Sequence, residues 1–212
     1  MPSTKKLLII FIPAIFVSAF ALFIRVMQYS SITNSSGQDE IQSQSLLPIH
    51  PEDPIIGHKK SPITIIVFGD FACEACRVQD NILEKLIKKY PEKIKVIWKG
   101  LPVARFPYKS EPAHRYAYCA NKQEKFDQFA KLAFTNSDNL SPTAIGRIVQ
   151  EIKINQEEML NCLNNDEVDQ YIVFNKQLAT SLGIQAVPAI FINDKQIKTP
   201  NSLDEWESIL QL

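Results

Sequence analysis

Ile63-Thr64-Ile65-Ile66-Val67-Phe68-Gly69-Asp70-Phe71-Ala72-Cys73-Glu74-Ala75-Cys76 begins as a β-branched and aromatic run and closes on two cysteines three residues apart. The run has the length and composition of a buried strand, and Gly69-Asp70 supplies its turn. Beyond it, Cys76, Leu83, Leu86, Ile87 and Tyr90 recur at helical spacing, Lys85, Lys88 and Lys89 sit in the last turns, and Pro91 stops the helix. The cysteine pair thus stands where a strand gives way to a helix. There the free N–H groups and the positive end of the helix dipole favour a thiolate on Cys73. Cys76 lies one turn deeper, so Cys73 is expected to be the attacking sulfur and Cys76 the resolving one.

Other uses of a Cys-x-x-Cys pair fit less well. Attachment of a c-type haem needs His after the second cysteine, and position 77 is Arg. A structural zinc site needs four ligands, but the chain has no second such pair, and His50, His58 and His114 lack finger spacing. No metal or other cofactor is expected.

Ile94 to Trp98 is again strand-like, which makes a strand-helix-strand unit with parallel pairing. From Glu111 to Leu182 the pattern is helical. One long segment is marked by Tyr116, Cys119, Phe126, Phe129, Ala130 and Phe134, a second opens at Ser141-Pro142, a third at Asn155 with Glu158, and a fourth runs from Val168 to Leu182 before Gly183. Ala189 to Asn193 reads as a strand, Asp194-Lys195 as a turn, and Gln196 to Lys198 as the hairpin partner. Ser202 and Glu205 cap a last helix towards Leu212.

The N-terminus belongs to a different environment. Lys5 and Lys6 precede eighteen uncharged residues, Leu7 to Ile24, closed by Arg25. As a helix this run reaches about 27 Å, near the roughly 30 Å hydrocarbon core of a bilayer. Residues 1–27 are therefore expected to be a transmembrane anchor or a signal peptide, with the N-terminus on the cytosolic side and the rest outside. Residues 28–54 are rich in Ser, Gln, Asn and Pro and read as a flexible tether, with the folded body expected from 55 to 212.

The whole chain has 212 residues, 23 basic and 23 acidic, with 45% hydrophobic and 22% charged. That is enough apolar material for a packed core, and no general positive field is available for nucleic acid. The even balance conceals an asymmetry, because residues 1–25 carry Lys5, Lys6 and Arg25 and no acid, leaving the remainder mildly acidic.

Phe71-Ala72-Cys73-Glu74-Ala75-Cys76 after a strand, with Ala186-Val187-Pro188-Ala189-Ile190-Phe191 far downstream and helices between, resembles the DsbA-type thiol-disulfide oxidoreductases of the thioredoxin superfamily. The resemblance implies an α/β thioredoxin-like fold over 55–212 with a helical insertion at about 110–165. It also implies a cis Pro188 facing the cysteines, with the backbone of Val187 offered to an extended substrate peptide. Reduced exported proteins are the implied substrates, and a membrane quinone-linked or other protein the implied redox partner, in a periplasmic-side compartment. Between the cysteines stands Glu74-Ala75, where the strongest oxidases of that family carry His. Glu74 opposes a thiolate on Cys73, whereas Arg77 on the same helical face favours it, so a moderate oxidant is expected. Cys119 and Cys162 fall on apolar helix faces, and outside the cytosol they are expected to pair as a structural disulfide, the alternative being two buried thiols. A monomer is expected, since no dimerisation segment is read before residue 55. Reductase or isomerase action uses the same parts, and a thioredoxin-like protein handling metal through Cys73 and Cys76 is the reading from a different class.

Overall fold

The computed structural model describes Phe20 and residues 47–212. The apolar run of 1–27, Phe20 apart, and the tether as far as residue 46 lie outside the described residues. Among the described residues, no helix is long and apolar enough to cross a membrane.

Strand β2 (Ile63–Gly69) is the central strand, and its apolar stretch Ile65 to Phe68 reflects burial on both faces. It pairs in parallel with β3 (Ile94–Gly100), in register from Ile63 with Ile94 to Gly69 with Gly100. Helix α1 (Glu74–Lys89) connects the two strands, completing the strand-helix-strand unit. β1 (Ile55–Gly57) lies antiparallel on β3, β4 (Ala189–Ile192) antiparallel on β2, and β5 (Lys195–Ile197) antiparallel on β4. The order among the described residues is β1-β3-β2-β4-β5.

Side chains alternate between two layers, as the strand period requires. Ile65, Val67, Val96 and Trp98 join the larger core with Leu83 and Leu86 of α1, whereas Ile66, Phe68 and Ile97 pack with Leu178, Ala179 and Phe191 on the other face. Helices α2 (Glu111–Lys122), α3 (Phe126–Thr135), α4 (Pro142–Glu151) and α5 (Gln156–Leu163) form the helical region between β3 and α6 (Asp166–Ser181), and α7 (Leu203–Leu210) follows the hairpin. The capping residues act as expected. Ser141 accepts from the Ala144 N–H, Asn155 from Glu157 and Glu158, and Ser202 from Glu205.

Three expectations need correction. The single long helix across Tyr116 and Phe134 is two, because Glu124 takes a φ of 57° and the N–H groups of Gln123 and Lys125 both bond the Ala120 carbonyl, at 3.1 and 2.8 Å. Apolar residues keep a helical period across this turn, so spacing alone hides it. The hairpin turn is Asn193-Asp194 rather than Asp194-Lys195. Both turn residues have positive φ, 49° and 63°, which a two-residue type I′ loop requires and which Asn and Asp tolerate. Residues 47–54, read as the end of the tether, pack on the body. Leu47 and Asp53 are buried, and the Pro54 carbonyl accepts from the Trp98 N–H at 3.0 Å. A run rich in polar residues concealed two long-range anchors, since the partners of Asp53 lie more than forty residues away.

Candidate active site

Cys73 is the residue immediately before α1, in extended backbone, and its sulfur accepts the Cys76 N–H at 3.2 Å. A sulfur placed as an N-cap receives an otherwise unpaired helix donor, and a thiolate receives it better than a thiol. Cys73 is partly exposed, whereas Cys76 is only 2% exposed, and both are free thiols. The side-chain hydrogen bond from Cys76, reinforced by the backbone N–H groups of Cys76 and Ala75, lowers the Cys73 pKa to about 7 against burial and the nearby Asp70 charge. For Cys76 the balance reverses. Its bond to Cys73 and its burial push its thiol far above the ordinary range. One sulfur is thus accessible and readily ionised, the other enclosed and protonated.

The peptide bond between Val187 and Pro188 is cis. The Val187 carbonyl lies 3.6 Å from the Cys73 sulfur, which donates to it as a thiol. Residues 114 apart in sequence therefore face one another across the site. A second cis bond, Phe106-Pro107, lies in the loop after β3 and had no counterpart in the sequence reading.

Asp70 organises the floor of the site. Its carboxylate is fully buried and accepts from Ala72 N–H (3.0 Å), Val103 N–H (2.7 Å), Ala104 N–H (2.8 Å) and the Ser110 hydroxyl (2.7 Å), with His114 Nε2 at 3.2 Å. Burial alone would raise its pKa, but the bond and charge interaction with His114 and the backbone donors outweigh it and hold the carboxyl well below the usual range. Asp70 also closes the turn before the helix, its carbonyl accepting the Cys73 N–H at 3.1 Å. The turn-forming role suggested by its position is therefore the one it has. As a proton acceptor for Cys76 it is unsuited, with its lone pairs occupied and its charge stabilised. His114, which drew notice in the sequence only as a possible metal ligand, gives no local signal of this contact.

Glu74 and Arg77 pair with each other, Arg77 Nε donating to Glu74 Oε2 at 2.8 Å, and the two charges are largely spent in that exposed pair. Cys119 and Cys162 are disulfide-bonded, with Cα atoms 5.8 Å apart, tying α2 to α5. Among the described residues no group of three or more His, Cys, Asp or Glu side chains is placed to hold a metal.

Comparison with known proteins agrees with this architecture. Residues 50–211 match the family described as Thioredoxin. The Na(+)/H(+) antiporter NhaA 1 of Mycolicibacterium gilvum is 23% identical over 167 residues, which are 73% of this chain but 26% of the antiporter, so the chain spans about a quarter of that relative. Disulfide bond formation protein D of Bacillus subtilis is 26% identical over 191 residues, 83% of this chain and 79% of that protein. Among solved structures, a periplasmic thioredoxin-like protein from Salmonella enterica serovar Typhimurium superposes with a TM-score of 0.67 at 26% identity, covering 82% of this chain and 97% of that one. Because the family match runs through every described element from β1 to α7, the chain belongs to the thioredoxin family.

Proposed function

We propose that this chain is an exported thiol-disulfide oxidoreductase of the DsbA-like kind, with Cys73 as nucleophile and Cys76 as resolving cysteine. The observation that carries the reading is the inequality of the two sulfurs. Cys73 is partly exposed at a helix N-terminus with its pKa lowered to about 7, and Cys76 is buried behind it.

In the oxidised protein a substrate thiolate attacks Cys73 Sγ, the Cys73–Cys76 bond breaks, and Cys76 departs as a thiolate that takes up a proton. A second substrate thiolate then attacks the substrate sulfur of the mixed disulfide and releases Cys73 as a thiolate. The substrate loses two electrons and leaves with a disulfide, while the cysteine pair gains them. Val187 and Pro188 form the edge against which an extended substrate strand lies, as the proximity of the Val187 carbonyl to Cys73 supports. The name of the Bacillus subtilis relative, a disulfide bond formation protein, favours the oxidising direction. Reduced exported proteins are the substrates, and a quinone-linked membrane protein re-oxidises the pair.

Export is supported by the basic-then-apolar residues 1–27 and by the Cys119–Cys162 disulfide, a bond that persists outside the cytosol. On this reading residues 1–27 target or anchor the chain and the following polar stretch tethers the body. Alkaline phosphatase fused after residue 212 is expected to be active, and a cytosolic location would leave it inactive.

The test is oxidative refolding of reduced ribonuclease by the oxidised protein. One disulfide should transfer per Cys73–Cys76 pair, and Cys73→Ser should abolish transfer. Equilibration with glutathione should give a potential between about −270 and about −120 mV. Transfer that survives Cys73→Ser would reject the assignment.

A further inference from the structure

Breaking or forming the Cys73–Cys76 bond moves a proton at Cys76, and the Cys76 thiol is buried. Asp70 cannot take that proton, for the reasons above. A cavity of about 440 Å³ opens between α1, the sheet and α3, and its wall includes Cys76 and Asp80. The sheet side of that cavity is Ile56, Gly57, Val67, Val96 and Trp98, none of whose side chains accepts a proton. Cys76 and Asp80 are four residues apart on α1, so they share a face with Cβ atoms about 6 Å apart. A cavity of this volume has room for water beside both side chains.

The charged groups facing Asp80 are Arg77, Glu84 and Lys88 from α1, and Asp127 and Lys131 from α3. Arg77 is held by Glu74, Lys88 lies 2.8 Å from Glu84, and Lys131 is 3.9 Å from the same Glu84 oxygen. Asp80 forms no hydrogen bond or ion pair with another side chain among the described residues. Burial, with the charges of Glu84 and Asp127 added and Lys131 opposing, raises its carboxyl to about 6. Such a group exchanges protons near neutrality.

We propose that Asp80 is the proton donor and acceptor for Cys76, acting across the cavity that both residues line. The proposal rests on the exchange reading above. When a substrate thiolate opens the disulfide, the Asp80 carboxyl gives its proton to the departing Cys76 sulfur. In the reverse step the Asp80 carboxylate takes the Cys76 proton, and the thiolate attacks Cys73 Sγ of the mixed disulfide and expels the substrate thiolate. Electrons move only between sulfurs, and the proton moves between Cys76 and Asp80.

The test follows reduced protein mixed with oxidised glutathione, acid-quenched and weighed by mass spectrometry. This separates formation of the Cys73–glutathione adduct from its resolution by Cys76. In the native protein the resolution rate should show an inflection near pH 6. Asp80→Asn should slow resolution at pH 7 by about tenfold or more and remove the inflection, with adduct formation changed less than about twofold. Asp80→Glu should restore part of the rate. Asp80→Asn should be at least as stable to urea as the native protein at pH 8, since the folded state penalises the Asp80 charge; a merely structural role predicts a loss. A native rate and inflection in Asp80→Asn would overturn the relay and leave the exchange reading standing. Absence of any adduct on Cys73 in the native protein would overturn both.

Discussion

The Asp70 carboxylate and the His114 imidazole lie 3.2 Å apart inside the protein, joining the turn before Cys73 to the second helix. Gly100 permits this approach, since a Cβ there would sit 2.5 Å from His114 Nδ1. Removing the Asp70 carboxylate strands the N–H groups of Val103 and Ala104. Asp70→Ala should therefore cost about 3 kcal/mol or more in urea unfolding, and a loss below about 1 kcal/mol would contradict the account. Because the folded-state pKa lies below the ordinary 3.8, the stability due to Asp70 is complete above about pH 4 and is lost as pH falls towards the folded-state value. Asp70→Asn should flatten that acid limb.

Cys73 should be the reactive thiol of the reduced protein. Alkylation by iodoacetamide is expected to rise with pH through a midpoint near 7, with Cys76 unmodified in the native state. Since folding depresses the Cys73 pKa from 9.0, the reduced protein should gain stability between about pH 7 and pH 9, and lose that increment as pH falls through 7. A midpoint above pH 8.5 would show that the helix N-terminus does not stabilise the thiolate.

The Cys119–Cys162 bond closes a separation of 43 residues. In the chain-entropy picture this stabilises the fold by about 4 kcal/mol, so the Cys119→Ser, Cys162→Ser double variant should unfold at markedly lower urea while keeping Cys73 reactive. An unchanged midpoint would rule out a stabilising role.

Lys99 and Asp53 form an ion pair with both side chains fully enclosed, and the Tyr171 hydroxyl also donates to Asp53, at 2.9 Å. Lys99→Met leaves the carboxylate without its cation and should cost about 3 kcal/mol. Adding Asp53→Asn should recover part of the loss, because the remaining partner no longer carries a buried charge. If the double variant is no better than the single, the pair is not coupled.

Much of this was legible in the primary structure because the signals were local. The apolar run of β2, the Cys73 N-cap position, Pro91, and the caps at Ser141, Asn155 and Ser202 each act within a few residues of themselves. The hairpin register slipped by one residue because Asn193, Asp194 and Lys195 all suit a turn, and only pairing of Ile192 with Lys195 selects between them. The break at Glu124 was hidden by apolar spacing that continues through it.

The chain by itself determined where chemistry could occur, since a cysteine pair at a strand-to-helix junction puts one sulfur at the helix N-terminus, within reach of the second cysteine and of backbone donors one turn away. Tertiary structure decided which other groups stand beside the pair. Asp70, three residues before Cys73, is saturated by donors from Ala72 and from residues 103 to 114. Asp80 lines a cavity that it shares with Cys76 and with Asp127, Ala130 and Lys131 of α3, which no local pattern places beside α1. Likewise the Val187 carbonyl reaches Cys73 only because β4 pairs with β2, bringing together residues separated by 114 positions through contacts that no local pattern encodes.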